Sequence, residues 1–368
     1  MRKLTYNTKL ISCIILFFII SILSIYSSLK ITNNSLGNIF IKQIIYYGIG
    51  IIIALFAYYK KKEIFKYSFS IYLFINILLL LLLFLGTSIN GSKCWLIIGP
   101  FSFQPSEFMK IFIIINTAKL LNKYRSKKHL KKEFKMLLII LILVIIPSIL
   151  TFLEPDTGVV LIYFIISLSM ILYRGINKKW YLIVLSILGI IILVIVFFLI
   201  YQKQELINFL DNSLFYRFDR IFNWQKQSGY QLENSVISIG SAGLFGFGLN
   251  KIPLYYPEAS TDFIFTSFNS ILGFIGNIFL FIIIIIFDTS ILKIIKRKIK
   301  KVDEYTIIGL FSMIFYQQIQ NIGMTIGLLP ITGITLPFIS YGGSSLLSYM
   351  FIIGIIFRIS HDNHKYLN

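Results

Sequence analysis

The sequence predicts an all-α polytopic membrane protein of about ten transmembrane helices, and three observations point there. Of 368 residues, 57% are hydrophobic and 14% charged, with a mean hydropathy of +0.82; no single globular core can hide that much apolar surface from water. Apolar runs of about 20 residues, long enough to cross about 30 Å of hydrocarbon, recur along the chain. Lys and Arg also divide unevenly between alternate connections: 25 on one side, 8 on the other, with Lys110 and Lys119 inside a span. Cytoplasmic loops retain basic residues, so the richer side is read as cytoplasmic, with both termini on it.

In order, the runs lie near 8–28, 43–59, 67–86, 106–122, 136–153, 157–173, 180–200, 263–292, 305–326 and 340–358. The first lacks a convincing small-residue cleavage site and is long for a signal segment, so it reads as a retained helix. No soluble stretch is long enough to fold separately, and residues 1–368 read as one integral membrane domain. The unusual connections all face outward: 87–105, 153–157, 201–262 and 327–340. Chemistry is expected on that side. In the largest of them, residues 203–222 repeat apolar side chains at three- and four-residue intervals, which predicts an amphipathic helix at the interface. Closely spaced glycines between Ser238 and Gly248 then permit tight turns, or a packed re-entrant loop. Residues 321–345 hold too much Gly and Pro for one helix. Irregular backbone at membrane depth survives only inside protein or along a cavity, so this segment is expected to form a cavity floor or wall.

Asp262 is the most informative residue, an acid where the long outer loop meets a span. Carboxylates are costly there and tend to have a function. It has two readings, an N-cap of the eighth span or a general base, and Glu258 is the competing base. Glu107 and Lys110, three apart, share a face of the fourth span; they read as a structural ion pair or as the wall of an outward cavity. Pro105 suits a first helical turn, with Ser106 a possible cap. Asp156 either caps the sixth span or reaches Lys110. Arg217 and Arg220 point the same way from the interfacial helix, for phosphate recognition or for anchoring at the membrane surface.

Several classes are disfavoured. A net charge of +20 suggests nucleic acid, but the basic residues are split among short loops and lack interleaved aromatics on one soluble face; topology and anionic lipid account for them better. His129, His361 and His364 fall on the inside, which argues against an outward histidine metal site. There is no P-loop. Ser290 and Lys293 match a Ser-x-x-Lys pattern but sit at the cytoplasmic end of a span without its companion motifs. Cys13 and Cys94 belong to a span and an outer loop, so no disulfide is expected.

Six segments, Gly91 to Trp95, Phe103 to Lys110, Glu154 to Gly158, Gly229 to Gln231, Pro257 to Phe265 and Leu329 to Ser345, resemble in their order the SEDS family of RodA, FtsW and SpoVE, RodA most. The resemblance implies a ten-span peptidoglycan glycosyltransferase that polymerises lipid II on the outer face of the bacterial plasma membrane. It implies a class B penicillin-binding protein as partner, an elongation role, and lipid II, the undecaprenyl-pyrophosphate-linked glycan and membrane lipid as binding partners. Asp262 falls on the family's catalytic aspartate. Arg217, Arg220 and Lys110 would offset pyrophosphate charge, with a divalent cation, Mg or Mn, as a cofactor. Glu107, Asp156, Glu258, Ser340 and Ser344 would line the cavity. The chain departs from the family where Ser270 and Ile271 replace an acidic pair, where Cys94 replaces a common arginine, and in a shorter loop between Arg220 and Gly229. The alternatives are a division or sporulation polymerase, a flippase for the lipid-linked precursor, or a non-catalytic scaffold for a transpeptidase.

Overall fold

The computed structural model describes residues 5–29, 36–89, 92–99, 101–125, 129–183, 186, 229–249, 254–296 and 299–365. Ten helices and three strands are described: α1 (Thr5–Leu29), α2 (Leu36–Lys66), α3 (Ser68–Leu85), β1 (Thr87–Ile89), β2 (Ser92–Ile98), β3 (Phe101–Phe103), α4 (Pro105–Lys123), α5 (Leu130–Leu153), α6 (Thr157–Arg174), α7 (Gly229–Ser241), α8 (Ile264–Ile295), α9 (Lys301–Thr325) and α10 (Gly343–Lys365). Most of the expected seventh span and the expected interfacial helix, with Arg217 and Arg220, lie outside the described residues.

Helices dominate because hydrocarbon offers no partner to backbone N–H and C=O groups, and a helix satisfies them internally. Seven of those described are long and apolar enough to cross a membrane. The helices α4 and α9 match the expected fourth and ninth spans but carry buried polar residues along their length, among them Lys110, Asn116, Gln317 and Asn321. They form the interior. The bundle packs α9 against α4 and α6, α1 against α8, and α2 against α10, around one large apolar core and a small cluster of Leu232, Tyr256, Ala259 and Phe263.

Local chemistry explains the irregularities. Pro147 interrupts α5 and has no N–H for the carbonyl of Leu143 four residues earlier; Tyr72 Oη donates to that carbonyl instead, at 3.1 Å. Within the outer connection 87–105, expected only as a loop, β1, β2 and β3 form an antiparallel sheet of order β1-β2-β3, with Thr87 opposite Trp95 and Ile97 opposite Ser102.

The expected eighth span is broken rather than continuous. Within α8, Gly273 takes φ 61° and ψ −154°, which releases backbone groups from the helical ladder. The loop after α7 takes them up: Phe247 and Gly248 N–H donate to Ser270 and Ile271 at 2.8 and 3.1 Å, and Phe274 and Ile275 N–H donate to Gly243 and Leu244 at 3.0 and 3.1 Å. Gly246 and Gly273 meet at this crossing, and a Cβ on Gly273 would lie 2.3 Å from the Gly246 nitrogen. Only glycine fits both backbones here. The glycine spacing seen in the sequence thus serves a packed loop.

Candidate functional site

The start of α8 defines the site. Its N-cap is Phe263, with no side-chain cap, so Asp262 stands one residue outside the helix and the capping reading fails. Asp262 is half-buried. Its carboxylate faces Gly333, where a Cβ would come within 3.6 Å of Asp262 Oδ2, and Gly333 has φ +70°. A side chain at 333 would be strained and would crowd the acid.

The turn carrying Asp262 is held at every carbonyl. Ser267 Oγ donates to Ala259 O at 2.8 Å, Tyr341 N–H to Ser260 O at 2.9 Å, Ser340 Oγ to Thr261 O at 2.6 Å and Asn321 Nδ2 to Asp262 O at 2.8 Å. Ser340 Oγ also accepts from Leu336 N at 2.9 Å. Glu258 begins the turn in the left-handed region, φ 55°, and its O accepts from Thr261 and Phe263 N–H. Its exposed carboxylate accepts from Thr261 Oγ1 at 2.6 Å, which turns it toward its own loop.

The irregular segment 327–341 runs beside Asp262, with Gly333 facing its carboxylate. Phe338 in it has φ 67°, an outlier for a bulky residue. Such strain persists where surroundings over-determine it: the ring stacks on Phe17 at 5.8 Å and meets Phe287 edge-on at 5.4 Å, and Tyr47 Oη donates to its carbonyl.

Farther along this segment, Thr335 Oγ1 lies 3.3 Å from Tyr349 Oη, which also accepts from Gln317 Nε2 at 2.9 Å. Lys110 Nζ lies 5.9 Å from the centre of the Tyr349 ring and pairs with Glu107 Oε2 at 2.7 Å. Ser348 Oγ donates to the same carboxylate oxygen at 3.3 Å. The expected pair is therefore present, and Lys110 is fully buried. Its ammonium is held by Glu107 in the interior of the bundle.

Asp156 caps α6, accepting from Val159 N–H at 3.2 Å through Oδ1, and takes Gln104 Nε2 at 2.8 Å on Oδ2. No ion pair joins it to Lys110; Gln104 is its side-chain partner. The Gln104 backbone N–H in turn donates to Ser344 Oγ at 2.8 Å, and Ser344 donates to Ser102 O at 3.1 Å. Gln104 occupies the N-cap position of α4 and Pro105 its first turn, so Ser106 is inside the helix and is no cap. Burial pushes the Asp156 carboxyl up to about 6, against the lowering pull of the Val159 N–H. Glu154 is more extreme. It is fully buried, neither carboxylate oxygen has a hydrogen-bond partner among the described residues, and burial followed by Asp156 pushes it up to about 8. Cys13 and Cys94 are both free, and burial raises the Cys94 thiol well above its usual range.

Asp262, Glu258, Ser340, Asn321 and Gly333 are thus brought together, while Glu107, Lys110, Asp156 and Ser344 form the adjoining wall. Sequence reasoning missed the parts played by Gln104, Glu154, Asn321 and Tyr349. A polar side chain in an apolar span was the available signal for Asn321. Among the described residues, no group of three or more His, Cys, Asp or Glu could hold a metal, so the expected divalent cation finds no such ligand set there.

The family described as "Cell cycle protein", FtsW/RodA/SpoVE, matches residues 5–365. A relative from Coxiella burnetii named "Probable peptidoglycan glycosyltransferase FtsW" is 34% identical, with 98% of each chain covered. "Stage V sporulation protein E" of Bacillus subtilis is 33% identical over 75% of this chain and 73% of its own. Among solved structures, a chain from "Structural coordination of polymerization and crosslinking by a peptidoglycan synthase complex" superposes with a TM-score of 0.79 at 20% identity, covering 97% and 98% of the two chains. Rod shape determining protein RodA of Thermus thermophilus gives 0.67 at 21% identity, with 96% of each chain covered. The structural likenesses establish a shared polytopic helical membrane fold, and the family match together with the FtsW relative establishes descent: this chain belongs to the FtsW/RodA/SpoVE family.

Proposed function

We propose that the protein is an inverting glycosyltransferase that polymerises lipid II into glycan strands at the outer face of the bacterial plasma membrane. The observation that carries this reading is the Asp262 turn: a half-buried carboxylate on an immobilised backbone, against a glycine that leaves it room. An acid so placed suits general-base catalysis. Asp262 takes the proton from the acceptor sugar hydroxyl as its oxygen attacks the anomeric carbon of the undecaprenyl-pyrophosphate-linked donor. The bond to pyrophosphate breaks on the opposite face, and the carbon inverts. Arg217, Arg220 and Lys110 offset charge on the departing pyrophosphate. Glu107, Lys110, Asp156 and Ser344 keep the wall in shape. No step is assigned to a divalent cation.

A class B penicillin-binding protein is the partner this reading supplies, since a new glycan strand must be crosslinked. The relatives named FtsW and Stage V sporulation protein E favour division or sporulation over the RodA-like elongation role expected from the sequence. The test is polymerisation of lipid II by the purified protein and by Asp262→Asn. The substitution keeps size and hydrogen-bonding capacity but cannot accept a proton at neutral pH, so the rate should fall by about 10²–10⁴-fold at normal expression and membrane insertion. Wild-type-like polymerisation by Asp262→Asn would refute the assignment and move attention to Glu258.

A further inference from the structure

We infer that Asn321 is a positioning residue for Asp262, its side-chain amide tying the Asp262 carbonyl to that of Ile334 and so setting where the carboxylate stands against Gly333. This rests on the reading of Asp262 as general base. Asn321 lies on α9, 59 residues from Asp262, and is fully buried. Its Nδ2 donates 2.8 Å bonds to Asp262 O and to Ile334 O. One amide therefore spends both of its N–H donors joining the two strands of chain between which the acid sits. No other side chain type of that length has two donors in this fork and no charge.

Its Oδ1 is buried and accepts from nothing among the described residues. Satisfying both carbonyls also favours folding, so positioning shows as a kcat loss beyond any change in thermal midpoint. The neighbouring clamps have a different reach. Ser340 and Tyr341 hold Thr261 and Ser260, but Asn321 alone among the described side chains bonds the backbone of Asp262 itself. On the same helix, Gln320 Nε2 donates to Pro330 O at 2.8 Å, fastening the same irregular segment without touching the Asp262 turn. It is an internal control.

The experiment compares Asn321→Asp, Asn321→Ala and Gln320→Ala in the purified full-length protein, with kcat and KM for lipid II and the thermal midpoint measured for each. Asn321→Asp, nearly the same size, removes the paired donors and sets an oxygen against two carbonyls. A misplacement of about 1 Å at a reacting group costs about 10²-fold. Both Asn321 variants should lose at least about tenfold in kcat with KM within about twofold. Gln320→Ala should keep kcat within about twofold even if its midpoint falls. Unchanged kcat in the Asn321 variants, a loss confined to KM, or an equal kcat loss in Gln320→Ala would each overturn the inference. If neither Asn321 variant folds, Asn321→Gln, which keeps the amide but displaces it by one methylene, takes their place: a kcat loss at constant KM supports positioning by Asn321, and an unchanged kcat overturns it. A wild-type protein unable to polymerise lipid II overturns the function as well. Normal polymerisation with an inert Asp262→Asn and fully active Asn321 variants overturns this inference alone.

Discussion

The two ends of the bundle treat charge in opposite ways. At the end with the basic connections, charges close into pairs: Lys61 sits between Asp303 at 2.8 Å and Asp362 at 3.4 Å, Arg358 holds Asp362 at 2.9 Å, Lys301 holds Glu304 at 2.7 Å, and Arg174 approaches Glu133 at 3.9 Å. At the opposite end, the only ion pair among the described residues is Lys110 with Glu107. Asp156 is held by neutral donors, and Glu154 is buried with neither oxygen hydrogen-bonded among the described residues. The first end spends its charges on joining helices. The second keeps acids in apolar surroundings, where they retain protons above their ordinary range, which fits an end built for chemistry.

The largest structural break in this comparison should come from Lys110→Met. It strands the buried Glu107 carboxylate, and losing one partner of a buried pair costs about 3–5 kcal/mol. Thermal unfolding in detergent should show a clear loss, with partial recovery when Glu107→Gln is added. A midpoint unchanged by Lys110→Met would mean that the pair is not sealed from solvent.

Next in size is a pH effect at Glu154. Its folded-state value, about 8, lies above the ordinary 4.5, so the folded protein binds more protons than the unfolded one between these limits. Stability is then greatest at low pH and falls as pH rises through that window, by at most about 1.4 kcal/mol per pH unit. Asp156 adds a change of the same sign between 3.8 and about 6. Comparing thermal midpoints at pH 5 and pH 8, Glu154→Gln should flatten the decline and be more stable than wild type at pH 8. An unaltered pH dependence would place the titrating group elsewhere.

The smallest effect belongs to the exposed pair Lys60 and Glu63, 2.9 Å apart with 49% and 59% of the side chains exposed. Such pairs contribute about 0–1 kcal/mol. Lys60→Ala should shift the midpoint by little; a loss comparable to that of Lys110→Met would show that exposure does not separate the two cases.

The site was partly legible in advance. Asp262, Glu107 and Lys110 announce themselves as charges beside apolar runs, and a carboxylate there carries a desolvation penalty whatever the fold. Asn321 was visible only as the start of an irregular segment, because its partners Asp262 and Ile334 come from separate stretches of chain. The capping reading of Asp262 failed for a local reason: the turn that begins at Glu258 delays the helix to Ile264.

By itself, the sequence determined the class of protein, the apolar stretches that become its long helices and the acids placed beside them. Those follow from apolar length, from charge placed between apolar runs, and from motif order, all properties of consecutive residues. Tertiary structure alone decided that Lys110 is sealed on Glu107, that α8 breaks at Gly273 to admit the loop around Gly246, and that four consecutive carbonyls before Phe263 are each held by a different donor. Each of these depends on which distant groups meet once water is excluded. In that setting a backbone group or charge without a partner is costly, and the fold that finds the partners is selected by the whole bundle rather than by any one segment.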